Sequence, residues 1–92
     1  MLYTKSKYIV GEIQATDGVL CIMCAVVFPD VIDHRATARV FIEDSIVGAG
    51  FCFVDENNIA QVYGESIGLD IKSNPSDAKF VGRALALPEY MI

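Results

Sequence analysis

Long apolar runs, basic residues, histidine and cysteine are all scarce in this chain of 92 residues. The longest unbroken apolar run covers residues 19–28, which is too short for the ~18 residues of a membrane-spanning helix. Seven Lys and Arg against twelve Asp and Glu give a net charge of −5, which disfavours binding to nucleic acid or to an anionic membrane. The two lysines near the start are not followed by the apolar region of a signal peptide, so we expect a cytoplasmic protein and one domain over residues 1–92.

The chain has one histidine and three cysteines, which are few side chains for a metal or redox site. Cys21 and Cys24 form a C-x-x-C, but zinc needs about four ligands and no second close-spaced pair accompanies them. In a strand these side chains point to opposite faces, whereas redox C-x-x-C motifs lie at the start of a helix. We therefore expect reduced, buried, structural thiols, with no metal and no cofactor.

The apolar pattern predicts an α+β domain that has a mixed sheet and two helices. Residues 8–14 and 19–28 are two strands around the turn at Asp17-Gly18. The second strand is continuously apolar, which predicts a central position with both faces covered.

The two predicted helices have clear start signals. Asp33 is a good N-cap for a helix over residues 34–44, with Arg35 and Arg39 on its exposed side. Asn74-Pro75 begins a second helix that ends near residue 87, before Pro88, and residues 89–92 are a short last strand.

A predicted hairpin between residues 46 and 68 is the most informative stretch. Asn57 and Asn58 suit the left-handed backbone of its turn, and both flanks are rich in β-branched and aromatic residues. Without a Cβ, glycines let backbone amides approach a ligand, and successive amides can hold a small anion beside a serine hydroxyl. Alternatively, the glycines only relieve crowding in a twisted sheet. The residues concerned are Gly48, Gly50, Gly64, Ser66 and Gly68.

His34 falls in the first turn of the first predicted helix. There the helix dipole disfavours imidazolium and leaves a neutral ring that can take a proton from water, although adjacent Asp33 acts in the opposite direction. A base beside an anion pocket suits phosphoryl hydrolysis. Alternatively, His34 is an ordinary, partly packed ring on the helix surface.

Several short motifs occur in one order along almost the whole chain: Asp17-Gly18-Val19, His34, Gly48-Ala49-Gly50, Val62-Tyr63-Gly64-Glu65-Ser66 and Pro88-Glu89-Tyr90. Together they resemble the Janus and phosphohistidine phosphatase family, whose small α+β proteins remove phosphate from protein histidine without a metal. The resemblance implies that His34 is the general base and that Ser66, Ile67 and Gly68 bind phosphate.

The chain departs from that family at a phosphate-contacting lysine, whose place is taken by Cys21, and its helix-to-hairpin connection is shorter. Lys72, Arg35 and Arg39 are the candidates to supply the missing cation. The resemblance implies a phosphohistidine protein as partner. The alternative is a non-catalytic module that binds a phosphoryl group or another small anion, or that forms a homodimer. The missing lysine favours this alternative, and His34 favours the enzyme.

Overall fold

The computed structural model describes residues 5–15, 18 and 20–91. The main sheet has four strands, β1 (Ser6–Gln14), β2 (Cys21–Pro29), β3 (Gly48–Val54) and β4 (Ala60–Tyr63). The other elements are helix α1 (His34–Ala38), the short strands β5 (Glu65–Ser66) and β6 (Ile71–Lys72), helix α2 (Asp77–Ala84) and a 3-10 helix (Pro88–Tyr90). The α+β class with two helices is confirmed. Every strand pair among the described residues is antiparallel, whereas the sequence predicts a mixed sheet.

The strand order is β2-β1-β3-β4, so β1 lies inside the sheet and β2 lies at its edge. Tyr8, Ile9 and Val10 of β1 are fully buried. Because successive side chains point to opposite faces, Tyr8 and Val10 pack toward Val81 of α2, and Ile9 packs toward Phe41 on the α1 side. The prediction that residues 19–28 form the central strand is therefore wrong.

Helix α1 begins as predicted and ends early. The Asp33 carboxylate accepts a hydrogen bond from the Arg35 amide at 2.8 Å, which confirms the N-cap. The helix stops at Ala38 rather than at residue 44 because β1 binds the chain that follows. The amide of Ile42 donates to the carbonyl of Glu12 at 2.8 Å, a contact that a continued helix would forbid.

The predicted hairpin is present, with Asn58 in the left-handed region at φ 62°. Its second strand is shorter than predicted, because Gly64 at φ 75° turns the chain after Tyr63. Glu65–Ser66 then pairs with Ile71–Lys72 in a separate two-stranded sheet. This break carries Ser66 away from the main sheet.

Helix α2 begins at Asp77 with Ser76 at the N-cap position, so the predicted start at Asn74-Pro75 is slightly early. Ala86, at φ 56°, ends the helix, since its amide and the next one bond back to the last helical carbonyls. A 3-10 helix, not the predicted strand, occupies Pro88–Tyr90, and residue 92 lies outside the described residues. Neither helix of the described chain has the length and apolar character to cross a membrane.

The three cysteines are free, as expected, but they are not all buried. Cys21 is exposed and Cys24 is half-buried on the edge strand. Burial raises the pKa of the Cys52 thiol to about 11, so Cys52 is a protonated core residue at neutral pH. The predicted turn at Asp17 falls outside the described residues.

A buried hydrogen bond joins the sheet to α2. The Tyr8 hydroxyl donates to Asp77 Oδ2 at 2.5 Å, and the amide of Asn74 donates to the same oxygen at 2.9 Å. Gly48 makes room for this carboxylate, because a Cβ there would lie 2.2 Å from Asp77 Oδ2. Burial, aided by the Asp77 carboxylate, raises the pKa of Tyr8 and keeps its hydroxyl a donor.

Tyr8→Phe should lower the free energy of unfolding by ~1–3 kcal/mol, because it removes one donor from the buried carboxylate. Tyr63→Phe is the matched control, since Tyr63 is 41% exposed. Urea unfolding of both variants measures the difference. Equal stability of the two would contradict a structural role for the Tyr8 contact.

Candidate functional site

An open cleft of about 480 Å³ lies between the start of β1, the start of α1 and the turn after β5. It gathers the four residues that the family resemblance assigns to the general base and to phosphate binding, His34, Ser66, Ile67 and Gly68. The remaining lining residues are Lys7, Asp33, Arg35, Phe51 and Glu65. The cleft therefore joins residues that are far apart in sequence and come from both sheets.

Ser66 shapes the turn that forms one wall of the cleft. Its Oγ accepts a hydrogen bond from the amide of Leu69 at 3.3 Å, and the Asp70 amide donates to the Ile67 carbonyl at 3.2 Å. Within the described chain, the amides of Ile67 and Gly68 donate to no protein acceptor. Two successive free N–H groups beside a hydroxyl form the kind of concave, partly positive site that accepts an anion.

His34 also lines the cleft and is only 5% exposed. Its Nε2 lies 2.9 Å from the carbonyl oxygen of Gly50, and Phe28 and Phe51 contact its ring edge-on, with centroids 5.4 and 5.9 Å away. A carbonyl oxygen can only accept, so Nε2 carries the proton. In the neutral ring Nδ1 is then the proton acceptor.

The surroundings of His34 favour that neutral ring. Burial lowers its pKa, and the positive charge of Lys7 lowers it further. The carbonyl of Gly50 and the carboxylate of Asp33 raise the pKa but do not overcome the burial. His34 can therefore take a proton at neutral pH, which is the property the sequence analysis attributed to the helix dipole.

Two cations line the cleft. Lys7 donates from Nζ to the carbonyl of Ile32 at 2.9 Å. The Arg35 side chain packs against Gly68, where a Cβ would lie 3.0 Å from its Cδ. Arg35 is a candidate cation from the sequence, whereas Lys7 is not. The only signal for Lys7 is its position in β1, on the same face as Ile9.

The other proposed cation positions are elsewhere. Arg39 and Lys72 do not line the cleft. Cys21 pairs with Gln14 at one end of the β1–β2 hairpin, whereas Lys7 pairs with Phe28 near the other. At ~3.3 Å per residue, Cys21 is roughly 20 Å from the cleft. A lysine at that position would therefore not reach the cleft residues.

Gly48 and Gly50, predicted to contact the same anion, are not among the lining residues. Gly48 lies over Asp77 on the opposite face of the sheet. Gly50 acts through its carbonyl, which holds His34, and a Cβ there would lie 2.6 Å from the Tyr63 carbonyl oxygen. Both glycines thus serve close packing, the alternative that the sequence left open.

The described residues contain no group of three His, Cys, Asp or Glu side chains placed to hold a metal ion. The charges of Lys7 and Arg35 are balanced by Asp33 and Glu65 on the same cleft. Net charge alone therefore does not favour an anion in this cleft, and directed N–H and O–H donors are the feature that suits one. No family model, no curated protein and no solved structure matches the chain.

His34 should titrate below the ordinary value of about 6.5 when its ring protons are followed by NMR. The unfolded chain binds the imidazole proton more readily than the folded chain does. The contribution of His34 to the free energy of unfolding is therefore fully present above pH ~6.5 and is lost as the pH falls toward the pKa of His34 in the folded protein. His34→Gln, whose amide can still donate to Gly50, should lack this component of the pH dependence. A midpoint at or above 6.5 would contradict the proposed environment.

Proposed function

We propose that this protein binds a phosphoryl group in the cleft and hydrolyses phosphohistidine, with His34 as the general base. The observation that carries the proposal is the pair of free amides at Ile67 and Gly68, which lie with the Ser66 hydroxyl on the same cleft as a neutral histidine. These four residues are the ones implied by the resemblance to the Janus and phosphohistidine phosphatase family. A Janus-like fold and a cytoplasmic location, in keeping with three free thiols, belong to the same proposal.

The phosphoryl oxygens would accept hydrogen bonds from the two amides and from Ser66. The Ser66 Oγ already accepts from Leu69, so its own proton remains available to donate. Arg35 and Lys7 supply cations at the cleft wall in place of the lysine that the family has. Donors fixed by the turn need no rearrangement when charge develops on the phosphoryl oxygens, which favours the transition state.

Hydrolysis needs one proton acceptor. A water oxygen attacks phosphorus, the P–N bond to the substrate imidazole breaks, and His34 Nδ1 takes the water proton. The leaving imidazole nitrogen takes a proton from solvent, which leaves phosphate and histidine. The hydrogen bond from Nε2 to Gly50 keeps the ring proton on Nε2, so that Nδ1 is the nitrogen that accepts the water proton.

A phosphohistidine peptide should release inorganic phosphate in the presence of the wild-type protein. His34→Gln should lower the rate by ~10²-fold or more, the usual contribution of a general base. Arg39→Gln changes an exposed residue outside the cleft and serves as the control. Thermal melting should verify that both variants fold.

Two results would count against hydrolysis. Turnover that is equal in His34→Gln and wild type would exclude the base. Phosphate binding at the cleft without any turnover would instead support the non-catalytic anion-binding module.

A further inference from the structure

The edge strand β2 lacks the features that normally protect a sheet edge. In the described chain it pairs only with β1, through an unbroken register from Ser6↔Pro29 to Gln14↔Cys21. No residue between positions 19 and 29 is charged, although the whole chain carries a net charge of −5. Protected edges are usually short, charged, bulged or interrupted by proline. Here the only proline lies at the far end, and the register has no bulge.

The first half of β2 is only partly covered on either face. Ile22 is 53% exposed and Met23 is 36% exposed, and these neighbours point to opposite faces of the sheet. Farther along, Ala25 and Phe28 are buried by the two helical layers. The continuous apolar pattern that predicts a central strand therefore belongs to a strand that has no neighbour on its outer side among the described residues.

We propose that β2 pairs with β2 of a second copy of this chain, antiparallel and about a two-fold axis, to form one continuous sheet of eight strands. This inference does not depend on the proposed function, because no β2 residue lines the cleft. The backbone groups on the outer edge of β2 determine what kind of partner can bind there. Alternate N–H and C=O groups along its outer side require an extended strand as their complement.

A second copy fits better than a different protein because the strand is its own complement. Two-fold pairing over the whole of Cys21–Pro29 places only uncharged residues opposite uncharged residues. Full overlap of the two nine-residue strands places the axis at Ala25, so that Ile22 lies opposite Phe28 of the partner subunit. The other edge strand, β4, has four residues and is the weaker candidate.

Light scattering should give a mass near twice the 10.0 kDa of the chain at micromolar concentration. Ile22→Lys should reduce it to the single-chain mass at the same concentration, because each lysine would place a charge beside Phe28 of the partner subunit in an otherwise uncharged contact. Val31→Lys is the matched control: Val31 is 88% exposed and lies just beyond β2, so this variant should keep the dimer mass. Thermal melting should confirm that both variants fold.

Hydrogen exchange on the unmodified protein provides a test that needs no variant. Alternate amides of β2 point away from β1, and they should be protected at high protein concentration and exchange rapidly on dilution. A wild-type mass of 10.0 kDa up to millimolar concentration would overturn the proposal. A dimer that survives Ile22→Lys, or outward amides that exchange rapidly at every concentration, would overturn it as well.

Discussion

The hydrogen bond between His34 and the carbonyl of Gly50 is the contact on which both the site and its chemistry depend. It attaches α1, a helix of only five residues, to the inner part of the sheet. It also decides which ring nitrogen carries the proton, since a carbonyl can only accept. Gly50 must be glycine for steric reasons, because the Tyr63 carbonyl occupies the space of a Cβ. The pair His34 and Gly50 therefore fixes both the attachment of α1 to the sheet and the position of the proton on the imidazole.

The part of the cleft formed by Ser66, Ile67 and Gly68 depends on a break in the second hairpin strand. Gly64 turns the chain out of the main sheet, and the following turn is closed by its own serine, through Ser66 and Leu69. This leaves the amides of Ile67 and Gly68 without protein acceptors in the described chain. A regular strand here would have used those groups for sheet pairing. The irregular backbone after Gly64 therefore supplies the cleft with hydrogen-bond donors.

Local signals in the sequence were sufficient for some elements and not for others. The Asp33 cap and the hairpin turn at Asn58 depend on neighbouring residues, and both were predicted correctly. The early end of α1 depends on the contact between Ile42 and β1, which no local pattern reveals. Lys7 was missed for the same reason, because its place on the cleft follows from strand order. The apolar pattern of β2 predicts a central strand, whereas β2 lies at the edge of the sheet in one chain. The two agree if a second copy continues the sheet, as proposed above.

The central claim, that the cleft binds a phosphoryl group, is tested most directly by adding inorganic phosphate to the ¹⁵N-labelled protein. The account predicts saturable amide shifts that are largest at Ile67 and Gly68, with His34 ring signals moving at the same midpoint. Arg35→Gln should weaken this binding severalfold, whereas Arg39→Gln, outside the cleft, should not. Small shifts spread evenly over the chain, or shifts centred on the Asn58 turn, would contradict the account.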